Sequence, residues 1–141
     1  MKTITKVIIP AHNEEASIGH VIKAIPTIVS EIIVISNNST DNTVNVAKNA
    51  GATVLRENNK GYGYACLKGM DYLSKQATKP DIIVFLDGDF SDYPEELTKL
   101  IAPIINKNID FVIGARVRKF REERSMTKPQ IFGNWLATSL M

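Results

Sequence analysis

Ile82-Ile83-Val84-Phe85-Leu86-Asp87-Gly88-Asp89 is the stretch that decides the fold of this chain. Five consecutive apolar residues read as a strand covered on both faces, and such strands belong to parallel sheets. Two carboxylates at the tip of a buried strand are costly unless they are paired or hold a cation. Their oxygen donors suit a hard divalent ion, which ordinarily keeps a phosphate as another ligand. Asp87 and Asp89 are therefore candidate metal ligands that would offset charge on a leaving diphosphate. Gly88 removes a side chain where a ligand would approach. The plainer reading is a polar turn in which Asp89 caps. Asp92 reads best as the cap of a helix begun by Pro94.

The same alternation extends to both sides. Val7-Ile8-Ile9, closed by Pro10, reads as a first strand, Ile32-Ile33-Val34-Ile35 as a second, Thr53-Val54-Leu55 as a third and Phe111-Val112-Ile113 as a fifth. Apolar residues at helical spacing mark helices over residues 14–25, about 41–50, 64–76 and from Pro94 onward. Pro26 stops the first of these. Thr40 or Asp41 is placed to cap the second, and Gly51 to end it. A charged, irregular stretch is expected over residues 116–128, then a last amphipathic helix over residues 131–141. Strands alternating with helices predict an α/β fold with a mostly parallel sheet covered on both faces, as one domain over residues 1–141. Ligands of such sheets bind beyond the carboxyl ends of the strands. The loops at residues 10–14, 36–41, 56–63 and 87–93 lie there and hold the least ordinary residues of the chain.

Composition narrows the function classes. A chain of 141 residues with 44% hydrophobic and 23% charged content suits one globular domain. The net charge of +2 is too small to argue for nucleic acid. Cys66 is the single cysteine, which excludes an intrachain disulfide and fits a reducing compartment. The first residues carry no signal-peptide core. No run approaches the ~20 apolar residues of a membrane span. A cytoplasmic location, or the inner face of a membrane, is the expectation. His12 and His20 show no zinc spacing.

The remaining constellations each have two readings. Pro10-Ala11-His12-Asn13-Glu14 either holds a base or ribose, or is a helix start with Asn13 as cap and Glu14 in the first turn. Ser36-Asn37-Asn38-Ser39-Thr40-Asp41 offers groups for a base edge, but such residues also dominate turns. Lys60-Gly61-Tyr62-Gly63 is a weak phosphate loop in which Lys60 meets phosphate as a point charge. A P-loop and a GxGxxG after the first strand are both absent from the sequence. Arg116, Arg118, Lys119, Arg121, Arg124 and Lys128 form either a phosphate clamp or a solvated charge run.

Taken together and in order, the segments 7–15, 35–43, 60–63 and 85–89 resemble family 2 glycosyltransferases, in particular the dolichol-phosphate-mannose-synthase-like branch. The resemblance covers nearly the whole chain. It implies the three-layer Rossmann-like fold of nucleotide-diphospho-sugar transferases, a UDP- or GDP-sugar donor, and Mg2+ or Mn2+. It further implies inversion at the anomeric carbon by direct displacement, in the synthesis of cell-envelope glycans or glycolipids. Carried over by position, Pro10, Asn13 and Glu14 line the nucleotide, Asn37 sits where relatives read the base, and Lys60 and Gly61 flank the donor. Asp87 faces ribose or diphosphate, and Asp89 is the main ligand of the metal motif. Asp89 and Arg116 are the residues expected to act in catalysis. Arg116 and Arg124 are expected beside the donor phosphates or a phosphorylated acceptor.

The chain departs from the family pattern in several places. His12 replaces the usual tyrosine, Ser36 and Asn37 replace a common acidic pair, and Ser91 stands where some relatives have glutamine. Relatives also continue past the equivalent of Met141. The expected function is transfer of a sugar to an acceptor such as a polyprenyl phosphate. The alternative is a nucleotide-sugar-binding module that is catalytically incomplete. Phe132, Trp135, Leu136 and Leu140 form an apolar face suited to a homodimer or to peripheral membrane contact.

Overall fold

The computed structural model describes residues 3–107 and 109–114. The chain divides into two compact units, Met1–Asp110 and Phe111–Met141; the architecture that follows is that of the first. Its elements are β1 (Thr5–Ala11), α1 (Ile18–Ala24), β2 (Val29–Asn37), α2 (Thr43–Asn49), β3 (Thr53–Glu57), α3 (Tyr62–Ser74), β4 (Ile82–Phe85), a 3-10 turn (Pro94–Glu96) and α4 (Leu97–Lys107). The strands form one parallel sheet in the order β3-β2-β1-β4.

The alternation of side chains along β1 explains the three layers. Val7, Ile9 and Ala11 face one side, where they meet Ile18, Val21 and Ile22 of α1, Ala47 of α2, and Leu97 and Ile101 of α4. Ile8 faces the other side with Ile33 and Ile35, against Ala65 and Leu73 of α3. Both faces of the central strands are dry, which is why their sequence is continuously apolar. The expected α/β architecture with a parallel sheet is observed.

β1 runs through Pro10 instead of stopping there. The Leu86 amide donates to Ile8 O, so Ile8 directs its polar groups toward β4. Pro10, two residues on, directs its nitrogen the same way. The β1–β4 ladder has ended by then, at Ile8 and Phe85. The missing N–H of proline therefore costs the sheet nothing.

α2 ends as its glycine predicts. Gly51 adopts φ 96°, with its amide on Lys48 O and the next amide on Ala47 O, a Schellman arrangement. At the other end, Asp41 Oδ1 accepts from the Thr43 amide at 3.0 Å and from the Thr43 hydroxyl. Burial tends to raise the Asp41 pKa, but these bonds and one from the Glu15 amide bring it below the ordinary carboxylate value.

Two expectations are corrected. Asn13 does not cap α1, which begins five residues later at Ile18 after a turn from Glu14. Residues 111–113 are not in a strand; an apolar triplet becomes a strand only when a partner ladder satisfies its backbone. The helix expected over residues 131–141 lies outside the described residues.

Candidate functional site

At the carboxyl edge of the sheet, the ends of β1, β2 and β4 and the start of α3 enclose a cavity of about 250 Å³. Its lining includes Pro10, His12, Glu14, Asn37, Tyr62, Asp87 and Asp89. A second cavity of about 370 Å³ shares His12, Asn37 and Tyr62 with the first and adds Lys60 and Gly61. The anticipated convergence of loops on one place is therefore observed.

Asp87 and Asp89 are both exposed, with buried Gly88 between them. β4 ends at Phe85, two residues before the first acid. The carboxylates are thus not buried at a strand tip, and desolvation does not compel a cation. Their case rests on donor type and on a shared opening onto the cavity. Among the described residues no cluster of three or more His, Cys, Asp or Glu could hold a metal ion. Two carboxylates suffice for an ion of the Mg2+ type, which takes one or two protein oxygens and fills its shell with phosphate and water. The donor set fits that chemistry.

The turn carrying these acids is braced from two sides. Ser17 Oγ lies 2.8 Å from both Glu14 Oε2 and Gly88 O. It joins the segment after β1 to the segment after β4. Asp89 Oδ1 accepts from the Ser91 amide at 2.9 Å. Phe90 adopts φ 62°, uncommon for a bulky residue, with its ring edge-on to His20 at 6.3 Å. A Cβ at Gly88 would meet Pro10 O at 3.4 Å and Glu14 Cγ at 3.5 Å, ordinary contact with the cavity floor. Glycine is not sterically required there. Asp92 is not the helix cap; Tyr93 holds that position.

Asn13 lines neither cavity. It adopts φ 56°, a conformation asparagine tolerates well. Its Oδ1 accepts from the Thr40 amide at 2.8 Å, and its own amide donates to Ser39 Oγ at 3.2 Å. The Glu14 amide donates to Thr43 Oγ1 at 2.8 Å and the Glu15 amide to Asp41 Oδ2 at 3.1 Å. Residues 38–41 thus tie loop to loop, which is the turn reading of that segment. Asn37 lines both cavities, but its side-chain amide bonds to residues 57–61.

α3 directs its N-terminus at the second cavity. Gly61, with φ 135°, makes the entry turn, and the first amides of any helix lack intrahelical acceptors. With Lys60 alongside, this end attracts anions. Tyr62 was not singled out by sequence, yet it lines both cavities. Burial, its bond with Cys66 and the charges of Asp87 and Asp92 push its hydroxyl up to about 12. Tyr62 is therefore a neutral donor. Burial likewise raises the Cys66 thiol, with help from Asp87 and against the bond from Tyr62. A thiol raised in this way is poorly suited to act as a nucleophile. Tyr62 lies inside the Lys60-Gly61-Tyr62-Gly63 segment without a role read for it, and Ser17 carries no sequence signal. Arg116 and Arg124 lie outside the described residues.

The family model for glycosyl transferase family 2 matches residues 6–140. An uncharacterized protein of Methanocaldococcus jannaschii is 31% identical over 131 residues, 92% of this chain and 53% of its own length. The UDP-N-acetylglucosamine–dolichyl-phosphate N-acetylglucosaminyltransferase of Methanococcus voltae is 29% identical over 146 residues, 90% of this chain and 57% of its own. Among solved structures, Mycobacterium tuberculosis glucosyl-3-phosphoglycerate synthase in complex with Mn2+, UDP and glucosyl-3-phosphoglycerate matches with a TM-score of 0.63 and 32% identity. That match covers 74% of this chain and 40% of the synthase. The chain spans about half the length of these curated relatives.

Proposed function

The chain belongs to glycosyl transferase family 2, and on that premise we propose that it forms the donor site of a metal-dependent inverting glycosyltransferase. The observation that carries this reading is one cavity opening onto both Asp87 and Asp89, beside the ends of β1 and β2 and the start of α3.

In this reading the donor is a UDP- or GDP-sugar. His12, Asn37, Lys60 and Gly61 border the nucleoside side, and Asp87 and Asp89 hold Mg2+ or Mn2+ at the diphosphate. Such an ion supplies charge neutralisation for the departing nucleoside diphosphate. Tyr62 stands between the two cavities and offers a neutral hydroxyl to ribose or phosphate. Arg116 and Arg124 are retained as candidate contacts to anionic phosphate, Arg116 with the catalytic role. Pro10 and Glu14 shape the cavity wall, and the proposed part of Asn13 is to hold that wall through Thr40. The domain is proposed to extend over residues 1–141.

The proposed acceptor is a polyprenyl phosphate. The acceptor oxygen attacks the anomeric carbon as its bond to the diphosphate oxygen breaks, which inverts that carbon. An anionic phosphate needs no general base. The dolichyl-phosphate named for the Methanococcus voltae relative supports this acceptor class. A lipid acceptor would place the protein at the cytoplasmic face of a membrane, in cell-envelope glycan or glycolipid synthesis. No described helix is long and apolar enough to cross one. The homodimer or membrane contact assigned to Phe132, Trp135, Leu136 and Leu140 lies outside the described residues and awaits light scattering.

A second reading is donor binding without transfer. One experiment separates the two. UDP- and GDP-sugars are supplied with polyprenyl phosphate and Mg2+ or Mn2+, and product formation is followed beside calorimetric binding of UDP and GDP. Binding with turnover supports the transferase, binding without turnover supports the module, and absence of binding removes both.

A further inference from the structure

Asn37 closes β2 with only 7% of its surface exposed. It borders both cavities, and its side-chain polar atoms are bonded to residues 57–61. Nδ2 donates to Asn59 O at 2.7 Å and, more weakly, to Glu57 O at 3.4 Å, and Oδ1 accepts from the Gly61 amide at 2.9 Å. Two carbonyls on one side and an N–H on the other fix which amide atom is nitrogen. Both donors of the group are committed to holding residues 57–61.

The backbone of Asn37 has a second task. Its carbonyl oxygen lies 2.8 Å from His12 Nδ1. A carbonyl only accepts, so Nδ1 carries the proton, and Nε2 of the neutral ring is left as an acceptor. The two nitrogens stand on opposite sides of the ring. With Nδ1 tied to the end of β2, Nε2 is the ring nitrogen left for a ligand. His12 is exposed, lines both cavities, and has no other polar partner among the described residues.

We propose that His12 selects the nucleobase through Nε2, and that Asn37 is a positioning residue that fixes the His12 tautomer and the wall of residues 57–61. The ligand class is a keto base with a ring N–H, uracil at N3 or guanine at N1. Cytosine and adenine present a bare ring nitrogen instead and would set lone pair against lone pair. The proposal rests on the reading of the cavity as a nucleotide site, and assigns within it the group that reads the base.

The test is calorimetric binding of UDP, GDP, CDP and ADP, each with Mn2+, to the full chain and to two variants, with melting temperatures recorded alongside. The wild type is expected to bind UDP or GDP about tenfold more tightly than CDP and ADP, the worth of one hydrogen bond made against one opposed. In His12→Asn the side-chain NH2 keeps a donor for Asn37 O but leaves nothing at the Nε2 position. This variant should keep its melting temperature and lose most of the tenfold preference. In Asn37→Asp a carboxylate faces the carbonyls of Glu57 and Asn59. The melting temperature should fall and all four affinities should drop together. A preference unchanged in His12→Asn, a wild type that binds without preference, or a selective gain for UDP or GDP in Asn37→Asp would each overturn the proposal while leaving the nucleotide site intact. A wild type that binds none of the four removes the site itself.

Discussion

Asp87 and Asp89 sit on either side of buried Gly88, both open to solvent. Sequence pattern singles out these two residues, but for a reason the structure does not keep. They were suspect because acids at a buried strand end would be desolvated, whereas the strand ends before them. What distinguishes them is the cavity they share, a property of four loops that no single segment shows. Asn37 illustrates the converse: its type and place suggest a base reader, but sequence cannot show which way an amide turns. Ser17 carried no pattern at all, and only the 2.8 Å approach to Gly88 O reveals its part. The proposed metal role of Asp89 has a consequence at this scale: its loss would be felt only when cation and nucleotide are both present. Asp89→Ala should leave the stability of the free chain within about 0.5 kcal/mol of wild type, as for other exposed positions. It should weaken Mn2+-dependent UDP or GDP binding at least about tenfold. A thermal-shift series with and without Mn2+ reads both quantities, because a ligand bound only to the folded state raises its melting temperature. An unchanged Mn2+-dependent shift would remove Asp89 from the metal site.

α3 shows what an element needs beyond its periodicity. The helical spacing of Leu67, Met70 and Leu73 reads as an apolar stripe; Leu73 is buried, but Leu67 and Met70 are 67% and 41% exposed. The helix instead buries Ala65, Gly69 and Leu73, a stripe of smaller residues that lets it lie close to the sheet. Gly69 measures how close. A Cβ there would come within 2.7 Å of Ile8 Cγ2 and 3.0 Å of Ile8 Cδ1, and Ile8 is fully buried. Alanine would gain about 1 kcal/mol of intrinsic helix preference over glycine. Forcing a methyl into a packed core costs about 1–3 kcal/mol, and Ile8 has nowhere to retreat. Gly69→Ala should therefore destabilise the fold by about 1 kcal/mol net, read as a lower urea midpoint at unchanged slope. A stabilised variant would mean that α3 can ride outward without loss. The strands themselves were legible because both their faces are apolar. Their extra residues at each end, such as Lys6 and Glu31, were not, since polar groups there belong to a pattern that only the assembled sheet displays.

At the scale of the described fold, polarity runs along the strands. The middle of the sheet is apolar, the carboxyl edge carries the cavity, and the opposite edge is closed by one ionic cluster. Glu31 of β2 accepts from Lys6 Nζ of β1 at 2.9 Å, from Thr53 of β3 and Tyr72 of α3 at 3.0 Å each, and from Gln76 at 3.0 Å. Lys6 Nζ also bonds Gln76 Oε1. This single carboxylate joins three strands to the helix layer. Burial would raise its pKa, but the bonds from Gln76, Lys6, Tyr72 and Thr53 prevail and bring it from the ordinary 4.5 down to about 2. Because the folded value lies below the unfolded one, the unfolded chain binds the proton first as pH falls. The contribution of Glu31 is complete above about pH 5 and is lost as pH drops from 4.5 toward 2. Glu31→Gln leaves Lys6, whose side chain is 11% exposed, without its anion. At pH 7 the cost should be about 3 kcal/mol, the low end of the range for breaking a buried pair. The gap between wild type and variant should hold from pH 7 to 5 and close by pH 2. Denaturant melts at pH 7, 5 and 3 test this, because other carboxylates lower both proteins alike and cancel in the difference. A gap as wide at pH 3 as at pH 7 would show that Glu31 stabilises by shape and hydrogen bonding alone, and that its charge contributes nothing to closing this edge of the sheet.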